Sequence, residues 1–163
     1  MANNARFAES FADGELPSAP SQHTAIVTCM DCRLDVPAML GLGVGEAHVI
    51  RNAGGVVTDD VIRSLCLSQR ALGTREIVLI HHTACGLQTV TEDGLKSELE
   101  AELGVKPPWS VESFADPHAD VRQSIRRIES NPFIPHTDDI RGFVYDVSTG
   151  LLDEVRADTG AAG

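Results

Sequence analysis

The sequence predicts an α/β protein with a central, mainly parallel sheet flanked by helices, and three observations support this fold class. Short aliphatic runs typical of strands alternate with amphipathic stretches typical of helices. One of these runs, the strand predicted at 76–80, is continuously aliphatic from Ile77 onwards, as is usual for a strand covered on both faces. The chain has 163 residues, 42% of them hydrophobic and 23% charged, which is enough for one domain with a single core.

Capping and turn residues set the bounds of the predicted elements. We expect Thr58 to cap a helix that ends at Gly73, and Thr91 to cap a later helix with leucines four residues apart. The predicted elements are, in order, a helix at 5–11, a strand at 23–28, a short helix at 36–40, a strand at 47–50, a helix at 59–72, a strand at 76–80, a helix that follows Thr91, a helix at 116–130, a strand at 140–147 and a hairpin partner at 151–155.

The charge balance restricts the class of partner. Lys and Arg total 13 and Asp and Glu total 24, which gives a formal charge of −11 and argues against nucleic acid or an anionic membrane surface. The longest apolar run, 77–80, is too short to cross a bilayer. The first residues lack a cationic start followed by an apolar stretch. We therefore expect a cytoplasmic protein.

Residues suited to chemistry follow two of the predicted strands. In parallel α/β sheets, sites form beyond the carboxyl ends of strands, where the strand order reverses. Cys29-Met-Asp-Cys-Arg33 follows the first strand, and His81-His-Thr-Ala-Cys-Gly86 follows the third. If these two strands are neighbours and the second strand lies outside them, both segments face the same crevice.

A metal site is the simplest use of this crevice. Cys29, His82 and Cys85 offer two thiolates and an imidazole, a ligand set that suits Zn²⁺. Three protein ligands leave a fourth position open, which is typical of catalytic zinc. The competing interpretation is that these cysteines are merely small buried apolar residues, as we expect for Cys66 in its amphipathic helix.

Cys32 leaves two further alternatives open. As a fourth ligand it would complete a closed, structural Cys₃His site. Alternatively, Cys29 and Cys32 form a CxxC pair that could cycle as a redox dithiol. His81 points to the opposite side of its strand if the strand continues, so we expect a buried structural histidine rather than a proton shuttle.

Asp31 and Arg33 form a candidate ion pair next to the predicted metal. In the functional interpretation, Arg33 holds the carboxylate of Asp31 away from the metal. In the alternative interpretation, the two residues form a surface salt bridge that contributes little.

Taken together, these motifs resemble the signature of the β-class carbonic anhydrases, most closely the short bacterial forms. The matching residues are Cys29-x-Asp31-x-Arg33 after the first strand and His82-x-x-Cys85-Gly86 after the third. Between them, residues 48–55 contain an Arg-Asn-Ala-Gly segment similar to that of the family. The resemblance extends from about residue 22 to 156.

The resemblance implies a zinc lyase that reversibly hydrates carbon dioxide to bicarbonate and a proton, with one Zn²⁺ per subunit. Carbonyl sulfide and carbon disulfide hydrolases share the scaffold, so hydrolysis of these molecules is the alternative. The implied site residues are Cys29, His82 and Cys85 as metal ligands, Asp31 and Arg33 as the catalytic pair, and Ala53, Gly54 and Gly86 at the substrate.

The resemblance also implies an architecture. It implies the sheet order 2-1-3-4 and a homodimer, or a homotetramer formed as a dimer of dimers, with the N-terminal helix packed across the partner. We divide the chain into an N-terminal arm (1–23), a β-carbonic-anhydrase-like catalytic domain (24–156) and a flexible tail (157–163). Cys32 is a departure, because the family usually has Ala or Ser there, and a thiol could capture zinc or oxidise with Cys29.

Overall fold

Five strands and five α-helices are found in residues 1–156, the part of the chain that the computed structural model describes. Two 3₁₀ turns, Ala53–Gly55 and Gly86–Thr89, lie beside the predicted site. The elements are α1 (Ala2–Glu9), β1 (Thr24–Cys29), α2 (Val36–Leu40), β2 (Ala47–Asn52), α3 (Asp59–Leu72), β3 (Glu76–His82), α4 (Glu92–Leu103), α5 (Pro117–Glu129), β4 (Ile140–Tyr145) and β5 (Leu152–Val155).

The five strands form one sheet in the order β2-β1-β3-β4-β5. The first four strands are parallel and β5 is antiparallel to β4, which confirms the predicted order and the hairpin partner. Thr28 of β1 is paired with Arg51 of β2 and with Ile80 of β3. The carboxyl ends of these three strands therefore meet at one edge of the sheet.

The core lies mainly on one face of the sheet, where α3 and α5 pack. Alternate residues of β1 and β3 point to this face and bury their side chains against the two helices. The opposite face is covered less completely, since α2 contributes only Val36 as a fully buried side chain. The main cluster comprises Ala25, Val27, Val57, Val61, Ile62, Leu65, Ile77, Leu79, Val121, Ile125, Ile128, Ile134, Val144 and Val155.

The predicted helix caps are confirmed. The Thr58 hydroxyl accepts the N–H of Val61, and Gly73, which follows the last residue of α3, adopts the left-handed conformation. The Thr91 hydroxyl accepts the N–H of Gly94 in the first turn of α4. Cys66 on α3 packs against the core but is only partly buried, so its predicted burial is incomplete.

Several boundaries differ from the prediction. β3 extends two residues further, because His81 and His82 continue the ladder opposite Val144 and Tyr145. β2 likewise runs on to Asn52. β4 ends at Tyr145 rather than at 147, because the Asp146 carboxylate accepts the N–H groups of residues 148 and 149 and turns the chain.

The N-terminal helix begins at residue 2 and ends at residue 9, earlier at both ends than predicted. Neither α1 nor α4 contains a buried residue. Residues 20–22 nevertheless lie against the body of the chain, and the N–H of Ser21 bonds to the carbonyl of Gly45. The predicted tail, 157–163, lies outside the described residues. Within residues 1–156, no helix is both long and apolar enough to span a membrane.

Gly142 of β4 provides a test of the helix–sheet packing. A Cβ atom there would overlap Val121 Cγ1 and lie 3.1 Å from Ile125 Cδ1 of α5. We expect Gly142→Ala to lower the free energy of unfolding by about 1–3 kcal/mol, because the tightly packed core must shift. Urea denaturation at fixed protein concentration measures this.

Gly43→Ala is the matched control, since its nearest neighbour would lie 3.6 Å away. We expect it to change the free energy of unfolding by no more than about 0.5 kcal/mol. Equal losses in the two variants would contradict the packing account.

Candidate metal centre

Three side chains from two strand ends converge beyond the sheet. Cys29 is the last residue of β1, His82 is the last residue of β3, and Cys85 follows in the next loop. One ligand atom from each lies within 4.8 Å of the other two, and all three residues are buried. In residues 1–156 no other group of three such side chains is gathered closely enough to hold an ion.

Close backbone contact positions this cluster. Residues 53–55 fold over the end of β1, and a Cβ atom at Gly55 would lie 2.7 Å from the backbone nitrogen of Cys29. Gly55 also has a positive φ of 73°, which favours glycine. The N–H of Met30 bonds to the carbonyl of Asn52 at 2.7 Å. The Arg-Asn-Ala-Gly-Gly segment therefore fixes where Cys29 points.

The ring of His82 is oriented for metal binding. Its Nδ1 lies 2.9 Å from the carbonyl oxygen of Thr83, so the N–H belongs on Nδ1. Its Nε2 is buried and has no hydrogen-bond partner. An unpartnered buried nitrogen costs free energy, and a metal ion would supply its missing partner. The sulfur and imidazole donors therefore fit zinc.

The two thiols have different acidities. Burial alone would raise the pKa of Cys29, but the neighbouring His82 ring and the N–H groups of Asp31 and Gly54 lower it to about 7. Burial raises the pKa of Cys85 to about 11. Burial alone would lower the pKa of His82, but its contacts with Cys29 and the Thr83 carbonyl raise the pKa above its usual value. A bound cation would favour both thiolates.

Asp31 and Arg33 form the predicted ion pair at the edge of the cluster. Arg33 donates from Nε to Asp31 Oδ1 at 2.9 Å and from Nη2 to Oδ2 at 2.7 Å. These bonds hold the pKa of the Asp31 carboxyl well below its usual range, so it stays ionised at neutral pH. Asp31 Oδ2 lies 3.8 Å from His82 Nε2. Arg33 also donates to the carbonyl of Ala84, which joins the two loops.

Cys32 is exposed on the turn between Asp31 and Leu34 and lies outside the three-residue group. The closed Cys₃His arrangement is therefore not the one that the structure shows. His81 is fully buried, and its Nε2 lies 2.6 Å from Asp120 Oδ2 of α5. This agrees with the predicted structural histidine.

Arg51 has a role that was not predicted from the sequence. Its guanidinium donates to the carbonyl oxygens of Cys29, Asp31 and Leu34 at 2.9, 2.7 and 3.1 Å. The side chain thereby fixes the whole loop that follows β1. Arg51 belongs to the Arg-Asn-Ala-Gly segment that the sequence singles out. Its hydrogen-bond partners, however, are backbone carbonyl groups, which no sequence pattern reveals.

The predicted substrate residues lie beside the cluster. Gly54 is buried, whereas Ala53 and Gly86 are exposed at its edge. Ala53 also lines a cavity of about 310 Å³ together with Leu87 and Trp109. Leu87 and Phe114 pack against the buried cluster of Cys29, Leu34 and Cys85. Neither of these two residues belongs to a motif that can be recognised in the sequence.

The cluster of Cys29, His82 and Cys85 lies at the ends of β1 and β3, where the strand order of the sheet reverses, and this arrangement is typical of zinc enzymes of the β-carbonic anhydrase class. Residues 24–152 match the model of the carbonic anhydrase family, so the chain belongs to that family, in its β class. The proteins of this class use zinc, which suits the donor set found here.

Individual members of the family are similar to this chain in sequence and in structure. β-Carbonic anhydrase 1 of Mycobacterium tuberculosis is 61% identical over 155 residues, which cover 95% of this chain and 94% of the relative. The crystal structure of carbonic anhydrase from Streptococcus mutans has a TM-score of 0.87 at 46% identity, with 95% and 93% of the chains covered. Carbon disulfide hydrolase of Acidithiobacillus thiooxidans is more distant, at 35% identity over 148 residues, 78% of this chain and 74% of that one.

The contacts of Arg51 generate a prediction about the loop. We expect Arg51→Gln to lower the free energy of unfolding by on the order of 1–2 kcal/mol, because three carbonyl groups lose a charged donor. Amide hydrogen exchange should rise across residues 30–34, as measured by mass spectrometry. Arg63→Gln is the control, since Arg63 only forms an exposed pair with Asp60, worth at most about 1 kcal/mol. Unchanged exchange in Arg51→Gln would refute the assigned role.

Proposed function

We propose that this protein is a zinc-dependent carbonic anhydrase that reversibly hydrates carbon dioxide to bicarbonate and a proton. The observation that carries the proposal is the buried group of two thiols and one imidazole with an arginine-bound carboxylate at its edge. The high identity to a relative named β-carbonic anhydrase 1 supports the same activity.

Cys29, His82 and Cys85 would hold one Zn²⁺ per subunit. When bound, zinc supplies a Lewis acid that activates water at neutral pH. The three residues supply all the protein ligands, so the fourth side stays free for the reaction. The hydrogen bond from His82 Nδ1 to Thr83 keeps the imidazole turned towards the cluster.

Asp31 and Arg33 are the proposed catalytic pair. Because Asp31 stays ionised, it can only accept hydrogen bonds, and it therefore orients a group that can donate one, such as the attacking water. Arg33 binds both carboxylate oxygens, which prevents Asp31 from turning into the cluster. The pair thus keeps the Asp31 carboxylate away from the metal position and selects molecules that can donate a hydrogen bond to it.

The carbon dioxide molecule is uncharged and small, so its site needs apolar walls more than hydrogen bonds. Ala53, Gly54 and Gly86 are the proposed substrate residues, with Leu87 beside them. Hydrolysis of carbonyl sulfide or carbon disulfide is the second candidate, and the relative named carbon disulfide hydrolase favours it. Carbon dioxide remains the principal substrate because the relatives with that activity in their names are much more similar.

We also propose a homodimer or a dimer of dimers in the cytoplasm. Neither α1 nor α4 has a buried residue, and β2 is an open sheet edge. Phe7 and Phe11 of the arm are exposed apolar side chains of the kind that a partner covers. The arm (1–23) would then serve assembly, while residues 24–156 form the catalytic domain.

A metal-content experiment tests the ligand assignment. The purified protein should contain about one zinc per subunit and hydrate carbon dioxide in a stopped-flow assay. His82→Ala should lose the zinc, and activity should fall by about 100-fold or more. His118→Ala is the control, because His118 pairs with Asp153 at the surface, and it should retain both. Zinc retained at full occupancy in His82→Ala would overturn the assignment.

Arg33→Ala tests this role of the pair. Without its guanidinium partner, the Asp31 carboxylate is free to turn towards the cluster, and we expect it to become a fourth zinc ligand. Activity should fall by about 100-fold while zinc content is unchanged. A crystal structure or X-ray absorption spectrum reports the ligand set. If the variant shows only three protein ligands, Arg33 does not have this role.

A further inference from the structure

Two side chains outside the family motif form an apolar wall beside the centre. Leu87 and Phe114 pack against the buried cluster of Cys29, Leu34 and Cys85. A Cβ atom at Gly54 would lie 2.5 Å from Leu87 Cδ2 and 3.2 Å from Phe114 Cε1. The backbone of the substrate loop, the turn after Cys85 and the phenyl ring therefore meet in close contact at Gly54.

We propose that Phe114, supported by Leu87, is a specificity-determining residue that sizes the substrate space for carbon dioxide against its larger sulfur analogues. This inference rests on the proposed function and deepens it. An uncharged linear molecule offers the protein few groups for hydrogen bonds or ion pairs. The shape of an apolar wall is therefore the main means by which the site can distinguish a substrate with oxygen termini from one with sulfur termini. Sulfur is larger than oxygen, so a closely packed wall disfavours a substrate that has sulfur termini.

The phenyl ring is held in place. It stacks on His81 with a centroid distance of 5.2 Å and an interplanar angle of 27°. His81 is itself fixed by Asp120 of α5 at 2.6 Å. Phe114 therefore cannot swing away from the cluster without losing its contact with a ring that is anchored to α5. A rigid wall discriminates by size better than a mobile one.

The segment that carries Phe114 is tied to the loop of Cys85. Gln88 accepts the N–H of Cys85 and donates to the carbonyl of Ala115, each at 3.0 Å. Upstream, Glu92 Oε2 accepts the N–H groups of Val111 at 2.7 Å and of Glu112 at 3.2 Å. This irregular segment is therefore fastened on both sides of the ring, and one amide side chain links it to a proposed metal ligand.

Substrate preference in Phe114 variants tests the proposal. We would compare kcat/KM for carbon dioxide, from stopped-flow hydration, with kcat/KM for carbon disulfide, from sulfide release. Phe114→Ala removes the phenyl ring from the wall, so the ratio of kcat/KM for carbon disulfide to kcat/KM for carbon dioxide should rise by about tenfold. Phe114→Leu should raise the same ratio by about threefold. Phe133→Ala is the control, since Phe133 is 63% exposed and is not part of this cluster. Its ratio should stay within about twofold of the wild type.

Zinc content and circular dichroism establish that each variant is loaded and folded. If Phe114→Ala fails to fold, the Phe114→Leu ratio decides. A ratio within about twofold of the wild type in the folded variants, or no sulfide release above background in any of them, would overturn the inference. Absence of carbon dioxide hydration in the wild type would instead overturn the proposed function.

Gln88 offers a second, independent test. Gln88→Glu keeps an acceptor for the Cys85 N–H but removes the donor to Ala115, whereas Gln88→Ala removes both. In Gln88→Ala we expect faster hydrogen exchange at the amide of Cys85, which loses its acceptor, and in both variants we expect a substrate ratio shifted in the same direction as in Phe114→Leu. Faster exchange with an unchanged ratio, or unchanged exchange, would show that Gln88 does not position the wall.

Discussion

The in-register parallel pairing of β1 with β3 is the constraint on which the rest of the structure depends. Because Thr28 lies opposite Ile80, the two strands end side by side, and Cys29 and His82 leave the sheet at the same edge. β1 is buried along its whole length and β3 over most of its length, so a shift of one residue would mispair the buried side chains and separate the ligands. The hydrophobic pattern that specifies the fold therefore also specifies the distance between the ligands.

Hydrogen bonds convert this proximity into a defined site, and most of them involve backbone atoms. Arg51 binds three carbonyl groups after β1, Arg33 joins that loop to Ala84, and Gln88 joins Cys85 to the segment of Phe114. Each link crosses between chain segments that are far apart in sequence. The cluster is therefore rigid although its ligands lie at strand ends and in loops, which prepares it for an ion rather than requiring the ion to assemble it.

The elements with strong local signals could be predicted from the sequence, and so could the cluster. Caps at Thr58 and Thr91, the aliphatic run of β3 and the spacing from His82 to Cys85 are all local patterns. The end of β3 was not predicted because histidines usually mark a loop, whereas here Asp120 bonds to His81 and the Thr83 carbonyl bonds to His82 inside the protein. Phe114 lies in an irregular segment, and only tertiary contacts bring it to the site.

The lack of buried side chains on α4 has a consequence for the behaviour of the whole molecule. A twelve-residue helix is marginal in water unless its apolar face is covered. If the proposed partner subunit covers it, part of the folding free energy is supplied only on association. Apparent thermal stability would then obey mass action and increase with protein concentration, so dilution and heating would act on the same equilibrium.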